Sequence, residues 1–433
     1  MNQDPWATPR EGTDITDAST AFLLAVDSWG GVASMITLAE ALRGRGVNSR
    51  IAAYSDYGDK VRAAGFGFID FGVSIADYSA EQDAQRPGWA RNPLRTWTAL
   101  RSGLKDTAVA VVSRVADAVE PGELIVSGTL TVGTATGIAG LCGGRVVAVN
   151  PAPMTPSRLP EASLSPVVRH PSLLNEWVGH FGARAAEWLY RPAVSAGREA
   201  LGLPPWTARD YLAAVNRTPT IYGVSPALMP ADPAWPAHIT VTGHLLRADP
   251  EPVIPEGLPE FLAGHPGAVY VGFGSMGNAM RQSDLDMACR ALAMAGRPGV
   301  IAGLGGQDVL REAGAPVFAV GEVSHDWLFP QLAAVVHHGG SGTTHRAVLA
   351  GVPSMAVPVG YDQPYWGRRL AELGVGVPPI PYRKLSPARL ASAIGQLTGD
   401  PGIAARAKQL GAVLRAENGP STAAEVITAV LAA

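Results

Sequence analysis

Two histidines, His337 and His338, stand directly before Gly339, Gly340, Ser341 and Gly342, and Thr343-Thr344 follow. These residue types at this spacing suit an anion. Glycines let an anion come close to the backbone, and Ser or Thr can cap a helix. The first N–H groups of a helix have no internal partner and lie at the positive end of its dipole. An imidazole beside them supplies one more donor. Further along, Gly360-Tyr361-Asp362-Gln363-Pro364 sets a carboxylate next to an amide, a pair suited to the hydroxyls of a polyol. Either feature alone is common, and an Asp-Gln before Pro is usually a plain turn. Together, at successive strand ends, they describe a pocket with a diphosphate at one end and a polyol at the other.

The elements that hold these residues can be read around them. Leu332–Val336 is a short apolar run expected as a buried strand. A helix is expected to open at Thr343 and stop at Gly351 and Pro353, and Ser354–Val359 is the next strand. That is one βαβ unit, in which ligands bind at the carboxyl ends of the strands. Upstream, the expected strand Ala268–Phe273 enters Gly274-Ser275-Met276-Gly277, and Gly272, Gly274 and Gly277 spell G-x-G-x-x-G. A dinucleotide fold needs an acidic residue at the end of the following strand. Here that strand, Gly299–Leu304, ends in Gly305-Gly306, which argues against a nicotinamide cofactor. Ser275 and its turn then serve as a further approach to the diphosphate. Val317–Val320 is another strand, followed by Val323 and Trp327; Gly374–Val377 reads as a strand near the polyol end.

The first half follows the same alternation. Ala21–Val26 is a strand, Asp27-Ser28-Trp29-Gly30-Gly31 a turn, and Val32–Leu42 has apolar positions at helical spacing. Further strands are expected at Ser49–Ala53, Glu123–Ser127, Arg145–Val149 and Thr220–Val224. Between Pro151 and Pro192 lie Met154, His170, Trp177, His180, Trp188 and Tyr190; their plain reading is a helical hairpin burying its aromatics, whereas the family resemblance given below implies a cover over a substrate pocket. Pro226–Pro236 is proline-rich and reads as an interdomain linker. The expected division is a loose tail at 1–20, a domain at 21–225, a linker at 226–238, a second domain at 239–415 and a final helix at 416–433.

Bulk properties bound the function. A chain of 433 residues is too long for one core and fits two α/β domains of roughly two hundred residues each. A net charge of −3 without a basic run gives no sign of a nucleic-acid partner. Cys142 and Cys289 are too few for a disulfide framework, which fits a reducing, cytoplasmic setting. No apolar run reaches membrane-spanning length, and the residues before Thr20 lack a secretory pattern. There is no Cys/His cluster with metal spacing.

At HHGGSGTT (337–344) and DQPYW (362–366) the sequence resembles the nucleotide-sugar-dependent glycosyltransferases of the GT-B fold. It is similar in particular to bacterial natural-product enzymes of family 1, related to UDP-glucuronosyl and sterol glucosyltransferases. FGSM at 273–276 and VSHDWLFP at 323–330 add to the likeness. The resemblance implies an α/β chain of two Rossmann-like domains facing a central cleft. It implies inverting, metal-independent transfer of a sugar from a dTDP- or UDP-sugar to a small, largely apolar acceptor, with no cofactor besides the donor. His337 matches the family's phosphate-contacting histidine, with His338 packing or orienting beside it. Ser275, Gly340, Ser341, Gly342 and Thr343 would complete the diphosphate site, Val323 would meet the base, with Trp327 either stacking on that ring or packing in the core, and Asp362 and Gln363 would meet the sugar. Trp29, Gly30, Gly31, Met154 and His170 would line the acceptor side. The sequence departs from the family where a base is needed: Gly31 stands where a His or Asp is usual, and Ser127-Gly128 where its partner Asp is usual. Asp27 is the first substitute, His170 or His180 the second, and an acceptor that ionises readily the third. A donor-binding protein without turnover, and a nucleotide-sugar epimerase of the same fold, are the alternatives. Self-association as a homodimer is compatible with all of these.

Overall fold

The computed structural model describes residues 20–25, 29–74, 93–128, 131–272, 282–302 and 314–433. Asp27, Ser275 and the 274–277 part of the glycine turn lie outside the described residues. The chain forms two compact units. The first holds the chain up to Gly223, then Ala231–Leu245 and Asn418–Ala433; the second holds Val224–Pro230 and Leu246–Glu417.

The first unit is a seven-stranded parallel sheet. Its strands are Thr20–Ala25 (β1), Asn48–Ala53 (β2), Gly67–Asp70 (β3), Leu124–Gly128 (β4), Arg145–Asn150 (β5), Thr220–Tyr222 (β6) and Ile239–Val241 (β7). The order is β3-β2-β1-β4-β5-β6-β7, so the winding reverses between β1 and β4. Strand β1 shows why its sequence is an unbroken apolar run. Ala21, Leu23 and Ala25 enter one buried cluster with Val32, Leu38 and Leu42 of helix α1 (Trp29–Arg43). Phe22 and Leu24 enter another with Val112 and Val115 of α2 (Pro93–Ala118) and Ala135 and Ile138 of α3 (Val132–Cys142). A strand covered on both faces needs apolar residues at every position. A long helix, α4 (Leu173–Ala200), follows; Ser172 caps it by accepting from Leu174 N–H.

Three expectations change here. Helix α1 begins at Trp29, so Gly30 and Gly31 form its first turn rather than a loop. Strand β7 belongs to the first sheet, paired parallel to β6 as an edge, and does not open the second domain. The proline-rich stretch is likewise not a free linker. Trp235 Nε1 donates to Pro156 O at 2.9 Å, and the buried Asp232 accepts from Ser157 Oγ at 2.5 Å and Arg158 N at 3.1 Å.

The second unit is a five-stranded parallel sheet of Val269–Gly272 (β8), Gly299–Ala302 (β9), Val317–Val320 (β10), Ala334–His337 (β11) and Ser354–Ala356 (β12), ordered β10-β9-β8-β11-β12. Helix α5 (Gln282–Ala295) packs Leu285, Ala288 and Leu292 against Val269, Val271 and Val336. Helices α6 (Ser341–Leu349) and α7 (Gln363–Glu372) follow β11 and β12. The strand expected at Gly374–Val377 reduces to one bridge, Ser354 to Gly376. A Cβ at Gly376 would lie 2.0 Å from Ser354 O, so only glycine allows the approach. The last helix, α8 (Gly419–Ala432), lies in the first unit and adds Ala423, Ala424 and Ile427 to the α1 cluster.

Candidate donor and acceptor sites

Strand β11 delivers His337 to the carboxyl end of the sheet, and the chain must then turn sharply into α6. Gly339 makes that turn with φ +93°, a left-handed value that favours glycine. A Cβ there would also meet Gln363 O at 2.9 Å and Ala356 Cβ at 3.0 Å. A Cβ at Gly340 would lie 2.4 Å from His338 Nε2, so a side chain there would displace the His338 ring. Gly340 occupies the helix cap without a side-chain bond. The first N–H returned to the chain is that of Thr344, to Gly340 O at 3.0 Å, reinforced by Thr344 Oγ1 at 2.9 Å. Among the described residues, the N–H groups of Ser341, Gly342 and Thr343 therefore have no acceptor. Among the described residues no atom stands within 4 Å of a Cβ built at Gly342.

His337 is fully buried, and its tautomer follows from its bonds. Nδ1 accepts from Gly339 N–H at 3.0 Å, so the proton of the neutral ring sits on Nε2. Burial holds its pKa well below the ordinary histidine value, and His338 and His325 push it the same way. Nε2 has no partner among the described residues. A buried N–H left unbonded costs roughly 1–3 kcal/mol, so this atom calls for an acceptor. The His338 ring lies at 89° to that of His337, 6.3 Å away, and burial lowers its pKa to about 4. His325, stacked on Phe329 at 4.4 Å, is also lowered to about 4, by burial and then by Arg346. Near neutral pH all three rings are uncharged donors rather than cations.

At the second strand end Gln363 is buried. Its Oε1 accepts from Val359 N at 2.7 Å and Gly360 N at 3.3 Å, which shapes the turn. Asp362 Oδ2 accepts from Trp366 Nε1 at 2.9 Å. Tyr361 carries φ +57°, the one non-glycine residue at positive φ among those described, and its side chain is exposed. Gln363 O lies against Gly339, so the two turns are in contact. Val323 and Trp327 are half-buried and pack against the cluster of Phe261, Tyr270 and Phe329. The Arg346–Asp326 ion pair ties α6 to the short helix His325–Leu328.

In the first unit Trp29 is exposed, with Lys60 Nζ 4.4 Å over its ring and Tyr57 at 5.8 Å. Met154 and Thr155 donate their N–H groups to the buried Tyr222 phenol at 3.0 and 2.8 Å. His170 and His180 are exposed, so neither imidazole is desolvated. His170 Nδ1 lies 3.2 Å from Pro171 O. At the end of β4, Ser127 Oγ and Thr131 Oγ1 bond each other at 2.7 Å. Four buried polar residues shape these surfaces without having stood out in the sequence: Asn175, Tyr222, His345 and Arg369. Asn175 is wholly buried; it accepts from Val167 and Val168 N–H and donates to the carbonyls of Arg158, Val168 and His170. Only its apolar helical setting could have marked it. Among the described residues no group of three or more His, Cys, Asp or Glu is placed to hold a metal ion. No described helix is long and apolar enough to cross a membrane.

The vancomycin aglycone glucosyltransferase of Amycolatopsis orientalis is 31% identical over 417 residues, covering 94% of this chain and 97% of that protein. The chain is a family 1 glycosyltransferase. A profile for the erythromycin biosynthesis protein CIII-like C-terminal domain matches residues 306–432 of this glycosyltransferase. The O-mycaminosyltylonolide 6-deoxyallosyltransferase of Streptomyces fradiae is 34% identical over 250 residues, covering 57% of this chain and 58% of that protein. Solved structures share the GT-B fold. The kitacinnamycin glycotransferase superposes with a TM-score of 0.69 at 20% identity, over 96% of this chain and 99% of that one. The glycosyltransferase VinC in complex with dTDP gives 0.63 at 20% identity, over 95% and 99%.

Proposed function

We propose that this glycosyltransferase moves a sugar from a dTDP- or UDP-sugar to a small, largely apolar natural-product acceptor, with inversion and without a metal ion. The observation that carries the reading is that, among the described residues, neither the Nε2–H of His337 at the end of β11 nor the first three N–H groups of α6, which the chain reaches four residues later, have a partner. Names among the relatives, which include antibiotic and sterol glucosyltransferases, support the acceptor class. The dTDP in the VinC complex supports the donor class.

In the proposed reaction an acceptor atom attacks the anomeric carbon on the face opposite the leaving group. The bond from that carbon to the diphosphate oxygen breaks, and its electron pair goes to the diphosphate. Preformed N–H donors aimed at that growing charge lower the barrier, because they need no reorganisation as the reaction proceeds. His337 and the N–H groups of Ser341, Gly342 and Thr343 fill this role. His338 packs over Gly340 and orients the turn, and Ser275 approaches the same diphosphate. Val323 and Trp327 meet the base. Asp362 and the Nε2 of Gln363 hold the sugar, since Gln363 Oε1 is already engaged by the turn. Trp29, Gly30, Gly31, Met154 and His170 line the acceptor side. The acceptor proton leaves to Asp27, or directly to solvent where the acceptor is acidic.

Supplying dTDP-glucose and UDP-glucose with a panel of phenolic, macrolide and sterol acceptors tests this. The expected outcome is acceptor-dependent release of dTDP or UDP, unchanged in EDTA, and a product of inverted anomeric configuration. Donor conversion without any acceptor would favour the epimerase, and nucleotide binding without turnover a binding partner.

A further inference from the structure

Helices α6 and α7 carry a second set of buried bonds that the donor chemistry does not use. His345, one turn into α6, is 2% exposed. Its Nε2 accepts from Ser225 N–H at 3.2 Å, so its Nδ1 bears the proton and donates to Ser341 O at 2.8 Å. Ser225 is fully buried; its Oγ donates to Glu417 Oε1 at 2.6 Å and accepts from Ala227 N–H at 3.1 Å. On α7, Arg369 is 5% exposed; its Nε donates to Leu228 O at 2.8 Å and its Nη1 to Glu372 at 2.6 Å. Trp366 packs edge-on to His345 at 5.1 Å while bonded to Asp362.

The segment held is Val224–Pro230, which the chain enters on leaving the first unit at Gly223. Glu417 is the last residue before the chain returns to the first unit. Both crossings are therefore gripped by one hydrogen-bonded chain that ends at Ser341, in the first turn of α6. Filling these positions with apolar side chains would avoid the desolvation of an imidazole and a guanidinium. Their polar atoms instead fix the orientation of a short, otherwise irregular segment.

We propose that His345 and Arg369 are positioning residues that couple the diphosphate cradle to segment Val224–Pro230, a proposal that rests on reading the start of α6 as that cradle. Nucleotide at Ser341–Thr343 stiffens the first turn of α6. That order passes through His345 to the Ser225 amide, and coupling of this kind is reciprocal.

Hydrogen exchange of the 224–230 peptide, with and without saturating UDP or dTDP, tests the coupling in the full-length protein. In the wild type, nucleotide slows exchange of the Ser225, Ala227 and Leu228 amides by about tenfold. His345→Phe keeps the ring against Trp366 but loses both bonds. It still binds nucleotide, yet the nucleotide-dependent slowing disappears, and donor KM rises by about tenfold with kcat within about twofold. His345→Gln, which keeps an acceptor and a donor, restores part of the slowing, and Arg369→Met loses it at Leu228. Equal slowing in wild type and His345→Phe, both binding nucleotide, overturns the coupling and leaves the donor site standing. No nucleotide binding by the wild type overturns the donor site and the coupling together.

Discussion

At the residue scale, the central fact is a histidine whose every feature favours a neutral donor. Gly339 N–H occupies Nδ1, burial opposes the cation, and Nε2–H has no partner among the described residues. The same burial makes a prediction about pH. His325 and His338 have folded pKa values of about 4, below the unfolded value near 6.5. Between these values the unfolded chain binds more protons than the folded one, so stability falls as pH falls. Thermal melts should therefore show full stability above pH 6.5 and progressive loss towards pH 4. His338→Gln should flatten that slope, and an unchanged slope would mean that the ring is not desolvated as described. Gly339→Ala should destabilise by about 1–3 kcal/mol in urea titrations, because φ +93° and the Gln363 carbonyl both exclude a methyl group. The chemistry of this residue cluster was legible in sequence because it is local: histidines, glycines and hydroxyls are consecutive. His345 and Arg369 were not legible, because their partners lie 120 and 141 residues away.

At the element scale, the sequence was most readable where one strand is buried on both faces. Val317–Val320 is such a run, and its bounds in the structure are those expected. It was least readable where pairing is long-range. Ile239–Val241 has the apolar, β-branched look of a strand, but nothing local says which sheet it joins, and it completes the first one. Gly376 makes a single parallel bridge to Ser354, at an approach that any Cβ would block. Helix α8 supplies the element-scale prediction. Ile427 is fully buried in the α1 cluster, so Ile427→Ala should cost about 2–5 kcal/mol. Chemical denaturation would measure it. A loss below about 0.5 kcal/mol would mean that α8 does not pack on α1.

At the scale of the whole molecule, two parallel-sheet units joined by several chain crossings carry separate sets of candidate residues. Donor-site candidates lie on the second unit, at the ends of β11 and β12. Acceptor-side candidates lie on the first. The base proposed on the first unit, Asp27, lies outside the described residues, so it is the part of the mechanism that tests the account least directly. The donor cradle tests it most directly. Calorimetric titration of dTDP and UDP in EDTA into wild type and His337→Phe is the decisive measurement. A hydrogen bond to a charged group contributes about 1.5–3 kcal/mol, so the variant should bind at least one of these nucleotides roughly 10- to 150-fold more weakly than wild type. Equal affinity in the two proteins, or no binding of either nucleotide by the wild type, would contradict it.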